Sequence, residues 1–366
     1  MGNIESAKKL RVGIIGCGGI ANAKHMPNLV KIAEVQLVAF CDIEVEKAEI
    51  AAKKFGANNA KVYEDYKELL KDKSIDVVHV CTPNRSHSFI TVDALEAGKH
   101  VMCEKPMAKT AKEARNMLDA ANRTGMKLTI GYQNRFRGDS RYLKEICVNG
   151  TLGEIYFAKA HAIRRRAVPT WGVFLNEFEQ GGGPLIDIGT HALDLTLWML
   201  DNYKPKYVVG NAYHKLSSKE NAANAWGPWD PKKFVVEDSA FGFITMENGA
   251  TIILESSWAL NTLEVGEATT TLCGTEGGAD MKDGLRINGE NLSRLYETMV
   301  DFNTGGVDFY EGSSENPEEL EARSWVDCIL HDKEPVVKPE QALVVTEILE
   351  AIYESSKTGK PVYFNK

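Results

Sequence analysis

Short apolar runs alternate with longer amphipathic stretches from about residue 10 to residue 131. The runs are rich in β-branched residues, which favours strands, and the stretches between them have the i, i+3, i+4 spacing of helices. Strands that alternate with helices in this way are typical of a doubly wound parallel sheet. The predicted strands are residues 11–15, 36–41, 77–81, 100–103 and 127–131, and the predicted helices are residues 44–55, 87–97 and 109–124.

The pattern changes after about residue 135. Strands of alternating polarity at 154–163, 235–245, 250–258 and 268–273, some joined by short turns, predict an α+β domain built on an antiparallel sheet. Residues 217–233 lack periodicity and are predicted to form a long loop, and two helices, 317–331 and 339–356, close the chain. We therefore predict one domain at residues 1–133 and a second at residues 134–366.

Length and composition agree with two globular domains. At roughly 150 residues per domain, 366 residues correspond to about two, and 43% hydrophobic with 26% charged residues excludes a disordered or fibrous chain. The formal net charge of −8 repels phosphate backbones and anionic headgroups. We expect neither nucleic acid nor a membrane as a partner.

Cysteine usage and hydropathy predict a cytoplasmic protein. The seven cysteines are odd in number and form no C-x-x-C pair, which indicates reduced core thiols. No apolar stretch approaches the roughly 20 residues that cross a bilayer. The first predicted strand begins too early in the sequence to leave room for a signal peptide.

A glycine-rich loop follows the first predicted strand. Residues 16–21 read G-C-G-G-I-A, which fits the dinucleotide fingerprint G-x-G-x-x-G/A between a strand and a helix. Gly16 makes the tight turn, Gly18 lets the backbone approach a pyrophosphate, and Ala21 allows close helix packing. The helix that begins near Gly19 and Ile20 offers unpaired N–H groups to the phosphates. In this context the loop predicts dinucleotide binding.

Asp42 ends the second predicted strand, where the acidic residue of a dinucleotide site meets the adenosine ribose. A carboxylate there accepts hydrogen bonds from both ribose hydroxyls and repels a 2′-phosphate. Ile43 and Glu44 follow instead of an arginine. We predict NAD as the cofactor in preference to NADP; the alternative is that Asp42 caps the next helix.

Lys105 follows the predicted strand at 100–103, at the edge where open α/β sheets bind their ligands. Pro106 disfavours helical geometry at Lys105, so the ammonium group is held out from an extended backbone. The alternative is a surface lysine paired with Glu104, an ion pair of little energetic value. The position in the sheet favours a functional lysine.

A predicted helix after the G-G-G-P run at 181–184 is apolar around most of its circumference. Asp187, His191 and Asp194 fall on one stripe with Trp198 at 100° per residue, so the stripe is predicted to face a cleft or a partner. Three interpretations compete: a structural polar network, metal ligation, and acid/base catalysis. No second His-rich segment completes a metal site, so we expect no metal. Catalysis by His191, oriented by Asp187, fits best.

Taken together, residues 16–21, Asp42, C-T-P-N at 81–84, E-K-P at 104–106 and D-I-G-T-H at 187–191 resemble the Gfo/Idh/MocA family of NAD(P)-dependent sugar and polyol oxidoreductases. The resemblance covers nearly the whole chain. It implies a Rossmann domain, a C-terminal domain with a large, mostly antiparallel open sheet, and a homodimer or homotetramer. It implies Lys105, Asp187 and His191 as catalytic residues. The implied cofactor contacts are Gly16, Gly18, Gly19, Ile20, Asp42, Thr82, Pro83, Asn84, His87, Glu104, Lys105 and Gln133.

The resemblance implies hydride transfer from a carbinol carbon to nicotinamide C4, with His191 as general base and Lys105 stabilising the alkoxide. We expect a polyol, sugar or glycoside as substrate, with the C3 hydroxyl of a glucoside among the possibilities. The remaining candidate substrate contacts are Tyr132, His161, Arg164, Arg165, Arg166 and Trp171. Two other functions stay open: a glycosidase that oxidises its sugar transiently with retained NAD, and a non-catalytic sensor.

Overall fold

The computed structural model describes residues 9–302 and 316–364. The described chain forms two compact units. One unit contains the described residues up to Ala108, then Lys112–Gln133 and Asn316–Glu340. The other contains Lys109–Ala111 and the described residues from Asn134 to 302 and from Gln341 onward. Residues 1–8, 303–315 and 365–366 of the predicted domain spans lie outside the described residues.

The sheet of the first unit is parallel throughout and, within the described chain, has the strand order β3-β2-β1-β4-β5-β6. Neighbours β1 and β4 therefore lie at the point where the strand order reverses, which is the ligand-binding edge of such sheets. Apart from the edge strand β3, the strands are largely buried, as parallel strands covered on both faces must be. Their bounds are β1 (Leu10–Ile15), β2 (Val35–Cys41), β3 (Lys61–Tyr63), β4 (Val77–Val80), β5 (His100–Cys103) and β6 (Leu128–Ile130).

Helices cover this sheet, and one of them comes from late in the chain. Pro317 begins that helix, and the Asn316 side chain accepts a hydrogen bond from the Glu318 N–H group at the helix start. Its Trp325 is buried in the same apolar core as Val12 of β1. The helices of this unit are α1 (Met26–Leu29), α2 (Val45–Phe55), α3 (Tyr66–Leu70), α4 (Asn84–Glu96), α5 (Ala111–Thr124) and α9 (Pro317–Leu330).

The second unit is built on a larger sheet, whose described strands run in the order β14-β13-β12-β11-β7-β10-β9-β8-β15. The β7 and β10 pair is parallel and the other neighbours are antiparallel. The strands are β7 (Ile155–Ile163), β8 (Pro205–Tyr213), β9 (Ser239–Met246), β10 (Thr251–Ser257), β11 (Gly266–Gly274), β12 (Gly277–Asp280), β13 (Arg286–Asn291), β14 (Arg294–Met299) and β15 (Val362–Tyr363).

Helices pack on one face of this sheet through small residues. Along β7, Ala158 and Ala160 are fully buried and lie beneath the helix that carries His191. A Cβ atom on Gly242 of β9 would lie 2.5 Å from Ile352 Cδ1, so glycine lets the last helix approach. The helices are α6 (Gly138–Val148), α7 (Glu177–Gln180), α8 (Thr190–Leu200) and α10 (Pro339–Thr358).

The predicted fold class is confirmed: a doubly wound parallel sheet is followed by a mixed, mostly antiparallel sheet. The predicted strand and helix ends lie within four residues of the observed ones. The seven cysteines are free thiols, five of them buried. In residues 9–302 and 316–364, no helix combines the length and apolarity needed to cross a bilayer.

Candidate active site

The glycine loop lies at the carboxyl end of β1. Gly16 has φ of +91°, and a Cβ atom there would lie 2.7 Å from the carbonyl group of Cys81. Glycine is therefore required for β1 and β4 to end this close together. At Gly18 and Gly19 a Cβ atom would meet no described atom within 4 Å, so the loop faces open space. The Asn22 side chain donates to two loop carbonyls at 2.8 and 2.9 Å and fixes the loop.

Asp42, at the end of β2, is hydrogen-bonded to this loop. Its Oδ2 atom accepts from the Cys17 N–H group at 2.8 Å, and its Oδ1 atom accepts from the Glu44 N–H group at 2.9 Å. The carboxylate thus ties the loop to β2 and also begins the turn into α2. Because each carboxylate oxygen accepts more than one hydrogen bond, both oxygens retain the capacity to accept from a ribose.

The segment after β4 completes this edge of the sheet. Thr82 Oγ1 is buried and has no hydrogen-bond partner among the described residues. The His87 ring is buried, with Nδ1 2.8 Å from the Pro106 carbonyl oxygen and Nε2 2.9 Å from that of Thr82. His87 therefore holds the carboxyl ends of β4 and β5 together. Pro83 is exposed and Asn84, half-buried, begins α4.

Glu104 follows β5 and is buried in a network of hydrogen bonds. Its Oε1 atom lies 3.0 Å from Lys24 Nζ and 2.7 Å from His25 Nε2, and its Oε2 atom accepts from the Lys105 N–H group at 3.1 Å. A Cβ atom on Gly131 would lie 3.1 Å from the Glu104 carboxylate, so glycine makes room for it. The network fixes the backbone from which the half-buried Lys105 extends.

Lys24 and His25 are buried at the end of a π turn, Ala21–His25, which continues as α1. Lys24 Nζ also lies 2.8 Å from Glu321 Oε2 and 3.3 Å from Gln133 Oε1. Glu321 comes from α9, so a late helix completes the network behind Glu104. We call Lys24, His25, His79, Glu104 and Glu321 the buried charge cluster.

Burial and neighbouring charges shift pKa values in the buried charge cluster in different directions. Burial opposes ionisation of Glu104, but Lys24 and His25 outweigh it and hold the pKa of that carboxyl well below its usual range. Burial dominates at Glu321 and raises its pKa, although Lys24 opposes the shift. Burial and the neighbouring His25 and Lys24 lower the pKa of His79, whose Nδ1 atom lies 2.9 Å from His25 Nδ1. Lys24 and Glu104 therefore form the charged pair at the centre of the cluster.

In the second unit, Asp187 lies in a π turn, Leu185–Gly189, and His191 in the α-helix that continues from it, Thr190–Leu200. A buried carboxylate holds the start of this turn: Glu237 accepts from the N–H groups of Gly183 at 2.8 Å and Leu185 at 3.1 Å. Burial raises the pKa of Glu237, and these hydrogen bonds oppose the shift. The Tyr353 hydroxyl donates to the same carboxylate at 2.8 Å.

Asp187 lies in the π turn, which packs on β10, and His191 lies near the start of α8, which packs on β7 and β11. Asp187 is half-buried, and its Oδ2 atom accepts from the indole N–H of the fully buried Trp258 at 3.1 Å. His191 is buried in the same unit. A Cβ atom on Gly189 would lie 3.1 Å from Ser256 Oγ, so glycine lets the helix lie close to the sheet. Trp258 was not recognised from the sequence, although it directly follows β10.

Asp194 lies in α8, three residues after His191, and the π turn at Leu185–Gly189 changes the rotation of Asp187 relative to both residues. Asp194 is buried and binds Arg135 through two hydrogen bonds of 2.9 and 2.6 Å. The Arg135 guanidinium also lies 5.5 Å from the Trp198 ring centroid. Asp194 therefore belongs to a structural ion pair with Arg135, whereas Asp187 binds Trp258.

The candidate substrate contacts lie in different surroundings. Tyr132 is fully buried in the first unit. In the second unit, His161 contacts Glu255 and Thr271 on the sheet at 3.0 and 3.1 Å. Of the three arginines, Arg165 is exposed. Arg166 binds Asn261 at 2.6 Å, and Arg164 binds Glu267. Trp171 is half-exposed and belongs to an aromatic cluster with Trp226, Phe174 and Trp258.

Two family models match the chain. Residues 10–132 match the oxidoreductase family described as an NAD-binding Rossmann fold, and residues 144–364 match its C-terminal alpha/beta domain. The chain belongs to the Gfo/Idh/MocA oxidoreductase family. It is an NAD-dependent oxidoreductase, as predicted from the glycine loop, Asp42, Lys105 and the D-I-G-T-H segment.

Similar proteins are sugar and polyol oxidoreductases. The chain is 37% identical to D-glucoside 3-dehydrogenase from Escherichia coli over 99% of both chains. It is 32% identical to inositol 2-dehydrogenase from Salmonella typhimurium over 53% of this chain and 56% of that protein. Among solved structures, an aldose-aldose oxidoreductase from Caulobacter crescentus complexed with glycerol has a TM-score of 0.78 and 25% identity, over 98% of this chain and 100% of that chain.

The first unit fits the dinucleotide of this family. Open space above Gly18 and Gly19, the accepting carboxylate of Asp42 and the unpaired Thr82 hydroxyl all lie at the reversal of strand order. Lys105 lies in this unit, and Asp187 and His191 lie in the other. Sequence reasoning identified Glu104 but missed the rest of the buried charge cluster and Glu237, because α9 and the residues before β9 carry no local motif that marks them. In the described ranges, no group of three or more His, Cys, Asp or Glu residues is arranged to hold a metal ion.

Proposed function

We propose that this protein oxidises the C3 hydroxyl of a D-glucoside to a ketone. The observation that carries the proposal is the 37% identity to D-glucoside 3-dehydrogenase over 99% of both chains. The match to inositol 2-dehydrogenase covers about half of each chain, which favours a glucoside over an inositol as the substrate. The proposal narrows the expected substrate from a polyol, sugar or glycoside to a D-glucoside.

In the proposed cofactor site, Gly16, Gly18 and Gly19 let the backbone approach a pyrophosphate, and Asp42 accepts from the adenosine ribose. The open space at Gly18 and the orphaned Thr82 hydroxyl support this assignment. Bound NAD⁺ supplies the hydride acceptor. The further proposed contacts are Ile20, Pro83, Asn84, Glu104, Lys105 and Gln133, with His87 holding the loops that carry them.

The proposed chemistry assigns one role to each of three side chains. His191 takes the proton of the substrate hydroxyl as general base and releases it to solvent. The Lys105 ammonium group stabilises the negative charge that develops on the substrate oxygen. Asp187, held by Trp258, orients the imidazole and favours its protonated form. The carbinol hydrogen leaves with its electron pair, so that substrate oxidation and NAD⁺ reduction balance.

We also propose the division of labour between the domains. Residues 1–133 bind the dinucleotide, and residues 134–366 bind the substrate and form a homodimer or homotetramer. Half-exposed Phe243 of β9 and its cross-strand partner Val209 of β8 lie on one face of the large sheet and support its use in assembly. The net charge of −8 supports a cytoplasmic protein that takes neither nucleic acid nor a membrane as a partner.

The test is turnover of methyl D-glucoside with NAD⁺, followed by NADH absorbance and by locating the ketone. Reduction of the product with borodeuteride places deuterium at the oxidised carbon, and NMR identifies that carbon. We expect deuterium at C3 and no turnover of the 3-O-methyl derivative, in which the reacting hydroxyl is blocked. Myo-inositol and NADP⁺ are the matched comparisons.

Four outcomes would overturn the proposal. Deuterium at another carbon assigns a different hydroxyl, and preferential oxidation of myo-inositol assigns a different substrate. Release of free sugar without net NADH formation indicates the glycosidase with retained NAD. NADH binding without turnover of any glucoside, free sugar or polyol indicates a sensor.

A further inference from the structure

The long loop predicted at residues 217–233 is anchored to the segment that precedes the π turn of Asp187. Asn224 accepts from the Val168 N–H group at 2.8 Å and donates to the carbonyl of the same residue at 3.0 Å. The Thr170 hydroxyl donates to the carbonyl of Trp226 at 3.0 Å. These contacts hold the backbone of Trp226 against the segment that carries Trp171.

Four aromatic rings form a continuous row from Asp187 to the surface. Trp258, which donates to Asp187, lies 6.3 Å from Phe174 between ring centroids. Phe174 lies 5.9 Å from Trp171, and Trp171 lies 4.9 Å from Trp226 in an edge-to-face arrangement. Trp258 is fully buried, whereas Trp171 is 51% exposed and Trp226 is 45% exposed. We call these four residues the aromatic row.

A charged side chain fixes the outer end of the aromatic row. The Arg164 guanidinium binds Glu267 through two hydrogen bonds of 2.6 and 2.5 Å and lies 5.6 Å from the Trp226 ring centroid. Burial opposes the charge of Arg164, but Glu267, assisted by Asp187, raises its pKa, so the cation persists beside the indole. Trp226 is thus held at its backbone and at its ring.

Two indole rings that are half-exposed yet held in place suit ligand binding better than core packing. Indole faces pack against the C–H faces of sugars and against aryl groups, and the indole N–H group donates to hydroxyls. Because Arg164 contacts the Trp226 ring and both rings pack against each other, binding orders few additional side-chain rotamers. The row therefore offers a rigid apolar surface that begins at the residue positioning Asp187.

We propose that Trp171 and Trp226 form a subsite for the aglycone, the group attached to C1 of the glucoside. The inference rests on the proposed function, because it assumes oxidation of C3 beside Asp187 and His191. C1 and C3 of a pyranose both flank C2, so an aglycone begins a short distance from the reacting carbon. The subsite would favour glucosides with aryl or glycosyl groups over methyl glucoside and free glucose.

The experiment compares kcat and KM for phenyl and methyl β-D-glucoside in the wild type, Trp226→Ala and Trp171→Ala. We expect each variant to raise KM for the phenyl glucoside about tenfold, and we expect Trp226→Ala to keep kcat and the methyl glucoside constants within twofold of wild type. Trp226→Phe keeps a ring and should recover most of the affinity. Tyr142→Ala is the matched control, because Tyr142 is 41% exposed and pairs edge-on with Phe302 in the same unit.

Equal losses on both glucosides would overturn the subsite, as would unchanged constants on both. A smaller assembly for Trp226→Ala, measured by light scattering, would assign Trp226 to a subunit contact instead. A wild type that oxidises inositol but neither glucoside would refute the proposed function and the subsite with it. A wild type that oxidises both glucosides with no aglycone effect in the variants would refute the subsite alone.

Discussion

Replacing Lys24 with methionine removes the ammonium group that two buried carboxylates share. Lys24 Nζ lies 3.0 Å from Glu104 and 2.8 Å from Glu321, and all three side chains are buried. Removing one partner of a buried ion pair costs about 3 to 5 kcal/mol, because the other partner is left charged and unpaired. We expect Lys24→Met to lower the free energy of unfolding by that amount near neutral pH, measured by urea denaturation.

The matched control is Lys31→Met. Lys31 lies 2.8 Å from Glu319, the same separation as between Lys24 and Glu321, but the two side chains are 49% and 47% exposed. Solvent screens exposed pairs, and they contribute about 0 to 1 kcal/mol. Both variants remove one positive charge from a pair of the same separation, so the difference between their losses in free energy of unfolding measures the effect of burial. A loss for Lys24→Met no larger than that for Lys31→Met would refute the reasoning.

The effect of Lys24→Met should also depend on pH. In the wild type the lowered pKa of Glu104 gives stability that is present above the unfolded pKa of about 4.3 and is lost as the pH falls through the folded value. Without Lys24, only His25 and Lys105 oppose the effect of burial, so the pKa of Glu104 moves upward and the variant loses stability as the pH rises through that higher value. The difference in free energy of unfolding between the wild type and Lys24→Met should become smaller as the pH is lowered from about 7.5 to about 5. A difference that stays constant would contradict this account.

Three further substitutions test the site. Glu237→Gln weakens the hydrogen bonds that hold the start of the π turn, and urea denaturation should show a loss of about 1 to 3 kcal/mol. Trp258→Phe removes the donor to Asp187; kcat should fall about tenfold with KM nearly unchanged. Asp42→Ala should weaken NADH binding and reduce the ratio by which the protein binds NADH more tightly than NADPH, with both dissociation constants measured by fluorescence titration. A wild type that prefers NADPH would contradict the NAD assignment.

The parallel sheet could be predicted because its strands are buried on both faces and read as continuous apolar runs. Strand β3 was missed because three residues are too short to show a period, and strands β13 and β14 were missed because their residues are largely exposed or half-buried and carry no apolar face. The glycine loop and Asp42 have local chemistry that the sequence displays directly. The glycine loop and Asp42 could therefore be predicted without knowledge of tertiary contacts.

The residues that sequence reasoning missed act through contacts between distant parts of the chain. Glu321 packs behind Glu104 although 217 positions separate them along the chain, and no periodicity in α9 indicates which unit it joins. The stripe prediction assumed a regular α-helix, and the π turn before Thr190 changes the rotation of Asp187 relative to His191 and Asp194. Recognising Trp258 as the partner of Asp187 would have required the position of the end of β10 relative to the π turn.

The most direct test of the central claim is the turnover of His191→Ala on methyl D-glucoside, with the NADH dissociation constant measured on the same protein. Loss of a general base predicts a kcat lower by about two to four orders of magnitude, with NADH affinity nearly unchanged. His214→Ala, an exposed histidine in the same unit, is the control and should keep the wild-type kcat. Wild-type turnover by His191→Ala would contradict the account.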